Sequence, residues 1–468
     1  MTNYGNVGKM DKKREIFEKM PVPKALATLA IPTIISQLIT MIYNLADTFF
    51  IGLANNPSQT AASSVCFTLV FMMACLSGLF GVGGGSLISR LLGEKKDEDV
   101  KSVSSFSFWG SAAIAALYSL IVLVFMNPVL YGIGATDSSL GYARDYAMWV
   151  VVIGAIPTTL SMTMSHLLRS EGYAKQASIG LGLGGVLNIL LDPLFMFVIL
   201  SPGNETKGAA IATLISNVAV IGYFIILYFT IKKRTALSLS LKNVIPKAHY
   251  VKNVFAVGFP SALGTFLACL SNMVINNLAA GYSAQYGDVP NAAIGIAKKI
   301  DMLPMNVGMG LCQGMMPLVA YNFASGDHKR MRAVARTARI WGMSFAGLCI
   351  VAFQLFAPQI VDVFNGDAAV VEMGTQFLRV LCIAVPLMIF NVQISFTFQA
   401  MGMGKQSLIL SSLRQGVVNI PLLFVMNAAF GLMGIVWTQL ISDIITAIVS
   451  YIVYHSSIKK LNLDMKNS

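Results

Sequence analysis

Charge is scarce in this chain of 468 residues: Asp, Glu, Lys and Arg together make up 12% of it. Soluble domains carry about 25%. Half that share leaves too little polar surface to coat a globule of this size, which excludes a soluble fold. Histidine is scarcer still, and His166, His249, His328 and His455 fall into no catalytic or metal-ligating spacing. The six cysteines (Cys66, Cys75, Cys269, Cys312, Cys349, Cys382) all sit in apolar segments and none forms a CxxC. They read as buried thiols, with neither a disulfide framework nor a metal site. The first 23 residues are polar and lysine-rich, with no short apolar core before a small-residue cleavage site, so no signal peptide is expected. The GVGGGS run at 81–86 lacks the lysine of a phosphate loop and lies in an apolar stretch, where close helix packing explains it better. No cofactor is expected.

What the chain does have is apolar length. Hydrophobic residues make up 56% of it, in runs such as AAIAALYSLIVLVFM (112–126) and VAVIGYFIILYFTI (218–231). A bilayer needs about 20 apolar residues per helix, and only helices satisfy their own backbone in lipid unless a barrel closes. The fold class is therefore an all-α polytopic membrane protein. Cutting at charged, Pro/Gly and Asn-rich breaks predicts twelve spans. They lie near 26–53, 60–90, 103–126, 144–168, 176–200 and 208–231, then 254–282, 291–322, 335–357, 373–399, 407–427 and 432–455.

Of the 33 Lys and Arg, all but Arg144, Lys207, Lys298, Lys299 and Arg379 fall to the amino-terminal tail, the loops after even-numbered spans, or the carboxyl-terminal side. The positive-inside rule then places both termini in the cytoplasm. The net charge of +12 reads as topology beside anionic lipid, in a cell membrane, and not as a nucleic-acid surface.

The chain also repeats. GYAKQA (172–177) returns as GMGKQS (402–407), VLNILLDP (186–193) as VVNIPLLF (417–424), and LISN (214–217) as LISD (440–443). LLGEKK (91–96) answers FASGDHK (323–329), and Pro32 aligns with Pro260. An order kept at a nearly constant offset means duplication. Six spans per half insert in the same orientation, so the halves should form two six-helix lobes about a pseudo-twofold along the membrane normal. The expected division is a tail at 1–23, a first lobe at 24–231, a linker at 232–252, a second lobe at 253–455 and a tail at 456–468.

Duplication isolates what packing does not require. Asn188 is kept as Asn419, but Asp192 faces Leu423, Pro193 faces Phe424, and Asp47 faces Ile275. A charged Asp at the centre of a bilayer helix costs about 2.5–3.5 kcal/mol, and an isolated carboxylate there takes up a proton. Asp47 and Asp192 lie roughly 9 Å and 12 Å below the outer ends of their spans, at 1.5 Å per residue. Asn188 stands one i,i+4 step from Asp192, and Pro193 frees the carbonyl of Ile189. Together they predict an oxygen-rich pocket for a proton or Na⁺, closed by Thr213, Ser216 or Asn217 of the sixth span. Pro32 and Pro193 are candidate hinges. Asp301 is expected to pair with Lys298 at i,i+3; the alternative is a second-lobe polar site made with Asn276 and Asn419. The methionines Met72, Met73, Met162, Met164, Met305 and Met309 read as core, or as an adaptable cavity lining.

These motifs, with LAIPTIISQL, NLADTFFIG and LLRSEGYAKQA, resemble the multidrug and toxic compound extrusion (MATE) family over roughly 24–455, most of all its MepA-type and DinF-type branches. The resemblance implies antiport of varied, often cationic organic compounds against H⁺ or Na⁺. It assigns cation coupling to Asp47, Asn188 and Asp192, with Thr213 as the sixth-span contributor, and bending of the first helix to Pro32. A second-lobe Na⁺ site of another branch, built on acids in spans seven and ten, has no counterpart in 254–282 or 375–399. A monomer is expected, with small organic cations and membrane lipids as its partners. A lipid-linked oligosaccharide flippase of the same superfamily is the rival reading, weakened by the acidic first lobe. An intramembrane enzyme would need clustered His, Asp or Ser near one interface, which the sequence does not offer.

Overall fold

The computed structural model describes residues 14–464 apart from 55, 283, 284, 286, 288, 365 and 366. Among them helices of three kinds, α, π and 3-10, are joined by short turns, with no strand. The first three spans are Val22–Leu53, Pro57–Gly93 and Asp97–Val124. The fourth is a bent pair, Leu140–Ile153 and Ala155–Ser170, turned by 51°. The fifth to seventh are Ala174–Ile199, Glu205–Ile231 and Ala248–Ala280. The eighth, Val289–Ala324, is less apolar because it carries Lys298, Lys299, Asp301, Asn306 and Gln313. The ninth and tenth are His328–Phe364 and Ala368–Met401. The last stretch, Gly404–Leu461, has 58 residues, roughly 87 Å at 1.5 Å each and far more than one crossing. Gly431, at φ 59° and ψ −143°, breaks it into the eleventh and twelfth spans; a Cβ would be strained in that backbone.

The first span packs on the fifth and the second on the fourth, and correspondingly the seventh packs on the eleventh and the eighth on the tenth. Between halves the first span meets the eighth and the second meets the seventh. Exchanging the halves maps one of these contacts onto the other, as a twofold demands.

The apolar clusters show how the lobes sit. One continuous cluster takes Leu26, Leu29, Val82, Leu167, Val254, Leu311, Met315 and Phe398 from both halves. A second cluster (Cys66, Met73, Tyr146, Val150) belongs to the first lobe alone. A third (Ile294, Cys349, Phe377, Val436) belongs to the second. Reading along each span, the shared cluster lies at the basic end, where the loops bearing Lys95, Lys96 and Arg330 are found, and the separate clusters lie at the other. The lobes are joined at the basic end and part towards the opposite one.

Small residues make the joint possible. Gly83 lies on the backbone of Val254 and Gly258, Gly84 on Ser107 and Gly85 on His166, so the GVGGGS run is indeed a packing surface. A Cβ on Gly310 would come within 2.6 Å of Ile34 Cα. The segment before the first span straps across this end. Phe17 stacks on Tyr321 at 4.9 Å, and Tyr321 donates its hydroxyl to Glu18 at 2.5 Å. Arg330 donates to the carbonyls of Phe17 and Met20, both at 2.6 Å, and of Ile16 at 3.2 Å. Arg14 pairs with Asp97 at 3.0 Å.

Overpacking a close-packed seam costs about 1–3 kcal/mol. Gly310→Val should therefore lower the unfolding temperature of the purified protein clearly. Gly222→Val should leave it nearly unchanged, because nothing lies within 4 Å of that position.

Candidate functional site: polar groups inside the two lobes

In the first lobe the fifth and sixth spans present their polar residues to each other. Asn188 donates its amide to Asp192 Oδ1 at 3.1 Å and to Thr213 Oγ1 at 3.3 Å. Asp192 is fully buried and Asn188 nearly so. Pro193 stands where the fifth span leaves regular α geometry for the π turn Leu194–Ile199, a departure that recurs at functional sites. Asp47 comes from the first span and lies within electrostatic reach of Asp192, with Tyr43 and Tyr146 close to both. The two carboxylates share a region, but no hydrogen bond joins them. Asp47 Oδ1, Asp192 Oδ2 and Asn188 Oδ1 are buried without a hydrogen-bond partner. The first helix runs unbroken through Pro32.

Beside this group lies a cavity of about 230 Å³, lined among others by Gln37, Tyr43, Asn188, Thr213, Arg169 and Gln313. Ser216 and Asn217 also line it, as expected for the sixth span, and so does His166. Asp47 and Asp192 do not; Asn188 and Thr213 form the wall, and Asp192 stands one hydrogen bond behind it.

Three expectations need correction. Arg169, counted with the loop charges, is 4% exposed. It donates to Gln313 of the other lobe at 2.9 Å and to Ser36 at 3.3 Å, which closes the cavity's basic end. Lys298 does not pair with Asp301; its ammonium donates to Asn272 at 2.9 Å, because that amide on the seventh span offers an acceptor across the helix interface. Arg414, also counted with the loop charges, lies inside the second lobe. Its Nε meets Asp443 Oδ1 at 2.7 Å, with side chains 11% and 0% exposed.

That pair centres a network the sequence reading missed. Gln439 donates to Asp443 Oδ2 at 2.7 Å, and Asn391 donates to the Asp443 backbone carbonyl at 3.0 Å. Asn419 donates to Gln439 at 3.4 Å and accepts from Ser271 at 2.8 Å. Asp301 lies within electrostatic reach of both Arg414 and Asp443, whereas Asn276 is exposed. The repeat held the signal. LISN aligned with LISD sets Thr213 against Gln439 and Asn217 against Asp443, so the Asn419–Gln439 bond is the second-lobe copy of Asn188–Thr213. An acid in an apolar span and an arginine in its neighbour could have been paired from the sequence.

Comparison with known proteins agrees with the fold. The profile of the MatE family matches residues 32–194 and 260–425, once in each half. Over 454 residues the chain is 33% identical to the multidrug export protein MepA of Staphylococcus saprophyticus, covering 97% of this chain and 98% of that protein. It is 32% identical to a Staphylococcus aureus MepA over the same shares. The crystal structure of a MATE protein in complex with MaD3S superposes with a TM-score of 0.88 at 25% identity, over 96% of this chain and 99% of that one. The chain belongs to the MatE family. It is a multi-pass membrane protein of twelve helices in two lobes.

Gln313→Leu removes the acceptor of a buried guanidinium, a loss of about 1–3 kcal/mol at the closed end. Maleimide labelling of the neighbouring Cys312, which is wholly buried, should then quicken, read by peptide mass spectrometry. Unchanged labelling would mean that Arg169 and Gln313 do not hold the seam.

Proposed function

We propose that the protein exports varied, often cationic organic compounds across the cell membrane in exchange for H⁺, with Na⁺ as the alternative ion. The reading is supported by the names of its MepA relatives. The observation that carries it is the group Asn188, Asp192 and Thr213 beside a polar cavity, with Asp47 within electrostatic reach. Carboxylate oxygens buried without donors favour an incoming cation or proton.

With the basic end in the cytoplasm, both termini are cytoplasmic and the cleft between the lobes opens outward. In that state Asp47 and Asp192 take up protons from outside. Neutralisation removes the charge that holds a cationic compound, and the compound leaves. The lobes then rock about the glycine seam, Arg169 parts from Gln313, and the protons pass to the cytoplasm. A ligand moves such an equilibrium only by its differential affinity for the two states. Drug and proton provide it by competing for one negative charge. The protein acts as a monomer among anionic lipids.

Asp192→Asn should abolish proton flux driven by a fluorescent organic cation in liposomes carrying an imposed pH gradient. Transport at the wild-type rate and pH dependence would refute the coupling assignment. Replacing the pH gradient with a Na⁺ gradient in the same vesicles distinguishes the two ions.

A further inference from the structure

Among the described residues three aspartates carry a buried carboxylate oxygen with no hydrogen-bond partner: Asp47, Asp192 and Asp301. Two belong to the first-lobe site. The third stands in the interior of the other lobe, among residues that the duplication relates to that site. Asp443 differs from it. Its side chain is held by Arg414 and Gln439, at 2.7 Å each, and by Asn391 at 3.4 Å, so its charge is fully supported. Lys298, one helical turn before Asp301, is drawn away to Asn272.

We propose that Asp301 is a second proton-accepting site, built into the interior of the carboxyl-terminal lobe beside the Arg414–Asp443 pair. The ligand is a proton and not a metal cation. Hard cations take about six or more oxygen ligands. Among the described residues no group of three or more His, Cys, Asp or Glu side chains stands close enough to hold a metal ion. Cys349 and Cys382 on the ninth and tenth spans lie within electrostatic reach of Asp301, and Ala297 and Ile300 of its own helix belong to the lobe's apolar cluster. The charged groups that face it are Lys298 on its own helix, Arg414 on the eleventh span and Asp443 on the twelfth. The seventh span contributes the neutral Asn272.

The step balances simply. A proton from water on the open side joins the Asp301 carboxylate and makes a carboxylic acid, and release reverses it. While ionised, Asp301 competes with Asp443 for the single charge of Arg414; once protonated, it leaves that charge to Asp443. Arg414 lies in a π turn, Leu413–Val417, which gives the eleventh span slack to respond. At Asp443 the guanidinium already occupies the carboxylate, whereas Asp301 keeps a buried oxygen without a partner. This deepens the proton-coupled reading above, on which its part in transport rests.

The test is infrared difference spectroscopy of the full chain in liposomes, between alkaline and mildly acidic buffer, following the carbonyl stretch of protonated carboxylic acids. The double variant Asp47→Asn/Asp192→Asn should keep one acid-induced band. Adding Asp301→Asn should remove it, and adding Asp301→Glu instead should restore a band at a shifted frequency. Sodium at constant pH should leave the band in place. The proposal is overturned if the double variant has no remaining band, if the band survives Asp301→Asn, or if sodium abolishes it. Drug-driven proton flux in the double variant, measured separately, judges the first-lobe reading whatever the bands do.

Discussion

A polar group inside the hydrocarbon layer must find its partner within the chain, because no water is there to serve it. Most of the polar chemistry of this protein follows from that constraint. Asn188, Asp192 and Thr213 answer one another across two helices. Arg414, Asp443, Gln439 and Asn391 do the same across three spans of the second lobe. Where the constraint is not met, at the orphaned oxygens of Asp47, Asp192 and Asp301, the chain holds unused hydrogen-bonding capacity. Unmet capacity of that kind in a membrane interior points to a transported species.

The duplication gave evolution two copies of one polar arrangement. Both keep an asparagine on the fifth or eleventh span, bonded to a residue one helix on. The copies then diverged in how they treat charge. The first lobe leaves its aspartates without a fixed cation, whereas the second pairs its Asp443 with Arg414. A buried ion pair is weak evidence for added stability but strong evidence of a fixed geometry, since removing one partner strands the other. The second lobe is the more rigidly wired of the two at this depth.

The twelve helices and the parallel repeat were legible in the sequence, because apolar length and fixed offsets survive without coordinates. Side-chain direction did not survive. Lys298 stands one turn from Asp301, yet it reaches across to Asn272 instead, and i,i+3 spacing cannot see an acceptor on another helix. Arg169 was counted as a loop charge because it stands just past a predicted span end, and Arg414 was counted with the loop before the eleventh span although it falls inside that span; the structure buries both. The spacing of Asn188 and Asp192 did place them on one face. That Asn188, and not Asp192, forms the cavity wall is a matter of packing on the sixth span.

The amino-terminal strap has a consequence for the order of assembly. Its carbonyls at Ile16, Phe17 and Met20 are gripped by Arg330, a residue that leaves the ribosome only after eight helices have been made. Before the eighth span is made, the strap has only the Arg14–Asp97 pair to hold it, because Tyr321 and Arg330 have yet to appear. The loop-closure entropy between such distant segments favours local contacts first. Fastening the strap is thus a late event in biogenesis, and a chain cut before residue 321 would keep only the Arg14–Asp97 pair of the contacts that hold its beginning.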